Sequence, residues 1–201
     1  MSHRILAILC TTLLLAVGGT AAAAKLLENI PLVWKPTDTL GALGPLNLSG
    51  PVISTALRVD PLVDTRSNPS LIAENHENSD RVLPVTTSGD VAAFVTDHLK
   101  ETLHRGGLNV VDGPGDLTLS GEIRQYFVTE TSTYHSELSL VVHLKDAQGK
   151  EVWSGAVAGS AERFGRSYKA ENYYETLSDA VVRATYNLLS NPAFTDAFQR
   201  R

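Results

Sequence analysis

Leu117-Thr118-Leu119-Ser120-Gly121-Glu122-Ile123, continued by Leu138-Ser139-Leu140-Val141-Val142-His143-Leu144, is the part of the sequence that decides the fold. Leu117, Leu119, Ile123 and Phe127 alternate with Thr118, Ser120, Glu122 and Arg124, the period of a strand with one apolar face. After a Thr/Ser-rich corner near Thr131 the alternation resumes, with Leu138, Leu140, Val142 and Leu144 against Glu137, Ser139 and His143. Asp146-Ala147-Gln148-Gly149 reads as a hairpin turn, and Glu151 to Ala161 as the returning strand. Such a meander has one covered face and one wet face.

Two helices supply the cover. Thr87, with Asp90 three residues on, is a capping signal. Val91, Val95, Leu99 and Leu103 then form an i, i+4 stripe with Phe94 beside it. Gly106-Gly107 stops this helix, and Leu108 to Val111 reads as a short strand. The last helix spans about Ala170 to Leu189 and ends at Asn191-Pro192. Tyr173, Leu177, Ala180, Val181, Ala184 and Leu188 form its apolar stripe, with Glu175, Asp179 and Arg183 off it. Before the first helix, a strand is expected from Val52, with Ile53, Thr55, Leu57 and Val59 on one face. The polar segment from Pro61 to Pro84 reads as a long functional loop, with a short strand at most at Leu71-Ile72-Ala73. The expected fold is therefore α+β: a largely antiparallel mixed sheet with two amphipathic helices packed on one face.

The N-terminus reads as an export signal over residues 1–24. Arg4 precedes an apolar run from Ile5 to Val17, too short for a lasting membrane anchor, and small residues follow to Ala24. Cys10 lies inside that run with Leu9 before it. A lipid-bearing cysteine sits after the run, behind a small residue, so Cys10 is expected to leave with the signal. The remaining chain then has no thiol, disulfide or transmembrane anchor. Residues 25–51, broken by Pro31, Pro36, Pro45 and Pro51, read as an irregular segment whose Trp34 packs on the domain. Residues 52–190 form a single domain and 191–201 a tail. The expected location is the periplasm, with outer-membrane association as the alternative.

A net charge of -5 excludes a nucleic-acid partner, whose phosphates require clustered Lys and Arg. No cofactor or metal is expected. His76, His98, His104, His135 and His143 lack ligand spacing and read as surface residues. Asp112-Gly113-Pro114-Gly115-Asp116 joins two strands rather than opening onto a helix, so it is a turn and not a phosphate cradle. There is no Gly-x-Ser-x-Gly elbow.

Two segments stand as candidate contact surfaces. Arg163, Arg166 and Lys169, interleaved with Phe164 and Tyr168, form a cationic and aromatic cluster before the last helix, suited to an anionic headgroup or glycan. The plainer reading is helix-entry packing with solvated charge. Asp64, Arg66 and Asn68, together with Asn75, form a second candidate on the long loop. Its plainer reading is a loop hydrogen-bonded to itself.

The run Val85-Thr86-Thr87 into Val91-Ala92-Ala93-Phe94-Val95 resembles the YajG-like family of bacterial envelope lipoproteins. So do Leu117 to Ile123, the meander, and Glu171-Asn172-Tyr173-Tyr174-Glu175-Thr176-Leu177. The resemblance covers about Val52 to Leu189 and implies an α+β envelope domain with no catalytic residues to carry over. The chain departs from that family in its lipid-bearing cysteine. The expected function is a non-enzymatic envelope binding or assembly accessory, its partner an envelope protein, lipid headgroup or glycan. The alternatives are a cell-wall glycan hydrolase using an acid pair such as Glu162 and Glu171, an accessory subunit of an outer-membrane lipid-transport system, or a purely structural envelope protein.

Overall fold

The meander is built as its alternation predicts. In the computed structural model, which describes residues 26–199 apart from 79 and 166, β6 (Leu117–Glu130), β7 (Thr133–Asp146) and β8 (Glu151–Phe164) pair antiparallel. The expected export signal at 1–24, with Cys10 in it, and Arg166 lie outside the described residues. One edge of β6 pairs with β7 along its length. The other edge is satisfied in pieces, by three parallel partners in turn. These are β1 (Ala56–Val59) at Leu117–Leu119, β2 (Val63–Asp64) at Glu122–Ile123, and β3 (Leu71–Asn78) at Val128–Glu130. Outside them, β5 (Asn109–Val111) pairs with β1 and β4 (Arg81–Thr86) pairs with β3. The eight-stranded sheet is mixed and largely antiparallel, and helices lie against it. The fold is α+β.

Helix α3 (Val91–Arg105) buries Val91, Val95, Leu99 and Leu103, and α4 (Ala170–Leu189) buries Tyr173, Leu177, Ala180, Val181, Ala184 and Leu188. Both stripes are those expected. Helix α4 lies under β7 and β8 and touches α3. At β8 the approach is backbone to backbone: a Cβ added at Gly159 would fall 2.2 Å from the Ala184 nitrogen and 2.3 Å from the Ala180 oxygen. Helix α4 also covers the open edge of β8. Its Asn187 Nδ2 donates to the Ala158 carbonyl (2.7 Å) and its Arg183 Nη1 to that of Ser160 (3.1 Å). Two acceptors on an edge strand are thereby closed to other chains.

Several local expectations are corrected. Residues 50–54 form the helical turn α2 (Gly50–Ser54), with Pro51 at its start, so the strand begins at Ala56 rather than Val52 and Ile53 is exposed. The polar stretch at 71–86 is a hairpin, β3 and β4, rather than a loop. Its alternation is hidden by two register shifts, which leave Ile72 and Ala73 both buried, and by Asn75, a polar residue buried on its core side. A register shift beside Arg124 inverts the phase of β6. Tyr126, Val128 and Glu130 therefore face the core, while Phe127 turns to the wetter face. Asp90, not Thr87, caps α3: its side chain accepts from Ala93 N–H, and Thr87 instead accepts from Gly89 N–H. After Asn191 the chain forms α5 (Pro192–Ala197), whose Phe194 packs edge-on against Trp153 (5.2 Å between ring centres).

The largest departure concerns Glu175 and Asp179. Placed off the apolar stripe of α4, they are only 8% and 7% exposed. The cover is an extended N-terminal segment. Asp179 accepts from Thr37 N–H (2.6 Å), Thr37 Oγ1 (2.6 Å) and Asp38 N–H (2.8 Å). Ser178 Oγ accepts from Lys35 N–H, Lys35 Nζ pairs with Glu175 at 2.8 Å, and Arg183 pairs with Asp38 at 2.6 Å. Trp34 stacks on His98, ring centres 4.1 Å apart, so His98 is not the open surface histidine expected. The short helical turn α1 (Leu40–Leu43) continues this strap beside α4.

Gly159→Ala tests the helix–sheet contact. The added methyl has only backbone to displace, so unfolding in urea should show a loss of about 1–3 kcal/mol. An unchanged midpoint would mean that α4 does not lie this close to β8.

Candidate functional site

The second sequence candidate closes on itself. Arg66 donates from Nε and Nη2 to the Asp64 carboxylate (2.9 and 2.7 Å). It also donates to the carbonyls of Pro69 (2.6 Å), Leu71 (3.0 Å) and Tyr126 (3.1 Å). Its guanidinium thus ties β2, the 67–70 turn, β3 and β6 together, and both charged side chains are nearly buried. Asn68 accepts from Ser70 Oγ within the turn, and Asn75 is buried, accepting from Glu77 N–H. These residues form a structural clamp, with the donors that an anion would need already committed. Burial works to raise the Asp64 pKa, but the hydrogen bonds and charge of Arg66 outweigh it and hold the carboxyl below its usual range.

The first candidate is only partly spent. Arg163 pairs with Glu175, the acid that also holds Lys35 of the strap. Phe164, the last residue of β8, stands 85% exposed, and Lys169 at the start of α4 is exposed. Tyr168 is the organising residue, held at φ 40°, in the left-handed region that a tyrosine rarely adopts. Its N–H donates to Glu130 Oε1 (3.2 Å), its hydroxyl donates to the Pro84 carbonyl (3.2 Å), and Leu27 N–H donates to that hydroxyl (3.1 Å). Three contacts to three remote segments hold the strained backbone in place.

Sequence reasoning missed the group beneath. Glu130, fully buried, also accepts from the Tyr173 hydroxyl, whose ring meets Tyr134 edge-on at 5.1 Å between centres. Burial first, and then the bond to Glu130, hold the Tyr173 hydroxyl well above the ordinary phenol range, which keeps it a donor. The signal for this acid lay in the register shift at Arg124, which alternation alone does not show. Among the described residues no group of three or more His, Cys, Asp or Glu could hold a metal, and no helix is long and apolar enough to cross a membrane.

The family model described as LptE, lipopolysaccharide-assembly, matches residues 63–200. The chain belongs to the LptE family. It is therefore a member of an envelope-assembly family, and the match takes in β2 to α5 while leaving β1 and the strap outside. No curated protein matches the sequence. Among solved structures, protein XCC0632 of Xanthomonas campestris, of family DUF330, is similar in fold. It has 13% identity and a TM-score of 0.55 over 86% of this chain and 96% of that one. A PelC dodecamer from Paraburkholderia phytofirmans is 16% identical, with a TM-score of 0.40 over 68% of this chain and 91% of that one. A minor lipoprotein from Acinetobacter baumannii is 10% identical, with a TM-score of 0.39 over 68% and 93%. In this LptE-family chain both candidate surfaces fall inside the matched region.

The clamp predicts a pH dependence. A depressed carboxyl adds stability above its unfolded value, close to 3.8, that is lost as pH falls through the lower folded value. Asp64→Asn should therefore destabilise the chain at pH 7 by about 3–5 kcal/mol, because Arg66 is left buried without its counter-charge. The gap from wild type in urea midpoint should narrow below pH 3.8. A gap independent of pH would show that the pair is not ionised in the native state.

Proposed function

We propose that this chain is a non-enzymatic accessory protein of lipopolysaccharide assembly, acting in the periplasm or at the face of the outer membrane. The observation that carries the reading is the LptE family match over residues 63–200. The site chemistry supports it: the buried acids Glu130, Glu175 and Asp179 are all engaged in holding remote segments together. The residues left outward on either side of the loop from β8 into α4, Phe164 and Lys169, are suited to contact rather than to bond making. The partner is an envelope component, whether protein, lipid headgroup or glycan, and a place beside a lipid-transport system is compatible with this role. The resemblance to YajG-like envelope lipoproteins supports the same compartment.

Depleting the chain from its own cells should lower surface-exposed lipopolysaccharide, measured by labelling intact cells, and wild-type chain should restore it. A Glu162→Gln/Glu171→Gln double variant should restore it equally well. Unchanged surface lipopolysaccharide on depletion would overturn the proposal. Altered wall-glycan fragments that the double variant fails to correct would favour the hydrolase alternative.

A further inference from the structure

Residues 26–51 lie across the end of β4 and the two long helices, and none of them is buried. They are held in two different ways. The first part is clipped to β4 through the backbone. Thr86 N–H donates to the Leu27 carbonyl (3.0 Å) and Ile30 N–H to the Thr86 carbonyl (2.9 Å), while the Tyr168 hydroxyl accepts from Leu27 N–H. From Lys35 to Asp38 the backbone donors go instead to side chains of α4. Lys35 N–H reaches Ser178 Oγ, and the N–H groups of Thr37 and Asp38 reach the Asp179 carboxylate.

This second set is readily exchanged for water. The N–H groups and the carboxylate are hydrated once they separate, so the net hold of each bond is small. Lys35 and Arg183, which pair with Glu175 and Asp38, keep 49% and 38% of their side chains exposed, and such pairs are weak. The apolar anchor is Trp34 against His98 and Phe94, itself only half-buried. Further on, α1 buries no residue and ends at Gly44, at φ 141°, where a Cβ would fall 2.7 Å from the Tyr186 hydroxyl oxygen. A glycine there turns without steric cost. Under the strap lies a cavity of about 200 Å³. Trp34, Pro36 and Leu40 wall it on the strap side, and Thr102, Arg105 and Val182 on the helix side.

We infer that residues 31–44 are a lid, which swings off α3 and α4 as a unit about Pro31 and Gly44 while the clip and the core stay folded. Segments with few buried apolar groups are those that open well below the free energy of global unfolding. Opening hands Glu175 and Asp179 from their lid partners to water and bares the Val182 wall of the cavity. The lid is thus a conformational control on access to one face of the helix pair.

Amide hydrogen exchange on the full chain, followed residue by residue, tests this. After correction for intrinsic rates, Lys35, Thr37 and Asp38 should exchange at least roughly a hundredfold faster than the β6–β7 ladder, with little dependence on urea. Asp179→Ala should speed these three amides by about tenfold more. Tyr168→Phe, which breaks the clip, should speed Leu27 and leave the three lid amides as they were. A thiol reagent gives a second readout. With Cys10→Ser in place, Val182→Cys should be labelled at least roughly tenfold faster than Leu140→Cys in the core of the sheet. Lid amides that exchange at the rate and with the urea dependence of the ladder would overturn the inference. So would equal labelling at residues 182 and 140, or lid amides accelerated by Tyr168→Phe, which would make clip and lid a single unit. None of these readouts involves lipopolysaccharide, so the lid and the proposed function stand or fall separately.

Discussion

Every backbone donor and acceptor along β6 needs a partner, and the two edges of this one strand meet the demand differently. On one side β7 follows it along its length, broken only by the register shift beside Arg124. On the other, β1, β2 and β3 each cover two or three residues, arriving from different parts of the chain and all running parallel to it. Parallel neighbours cannot be joined by tight turns, so the chain must travel between them. The 65–70 turn, the β3–β4 hairpin and α3 all lie along that route. The Arg66 clamp follows from the same constraint: β2 and β3 leave a gap beside β6, and the guanidinium bridges it to the carbonyls of Leu71 and Tyr126.

The register shift beside Arg124 has consequences beyond one strand. It rotates the end of β6 so that Glu130 enters the core, where a carboxylate is costly unless hydrogen-bonded. Tyr173 from α4 and the N–H of Tyr168 meet that need. Because Tyr168 must turn its N–H inward, its backbone is held at positive φ, and its hydroxyl reaches Pro84 and Leu27. One buried acid thereby fixes the loop into α4, the hairpin and the N-terminal segment relative to one another, and the surface of that end inherits its shape from a bond in the interior.

Much of this architecture was legible in the sequence because its determinants are local. The meander and the stripes of α3 and α4 depend on residues two to four apart, and the structure has them where alternation and helical spacing put them. What was not legible depends on remote partners. Glu175 and Asp179 have the sequence context of solvated helix residues, and only Lys35, Thr37 and Asp38, some 140 residues away, make them interior. The β3–β4 hairpin was hidden by its polar composition and two register shifts. Phe127 was assigned to the wrong face because a single extra residue inverts a period of two.

The two candidate segments that stood out in the sequence show why residue type alone does not locate a surface. Arg66 is drawn inward to Asp64 and three carbonyls, and Arg163, though still partly exposed, is committed to Glu175. A guanidinium offers five donors in a fixed fork, so it is readily consumed wherever several chain segments converge. Phe164 has no such means of being consumed. It alternates onto the exposed face of β8 with Ala158, Ser160 and Glu162, opposite the Val157, Gly159 and Ala161 face that is buried. One aromatic side chain left out at the end of a fourteen-residue strand is ordinary on a protein surface, and residue type in the sequence did not tell it apart from the buried aromatics nearby. At this end of the molecule the interior network is complete without it.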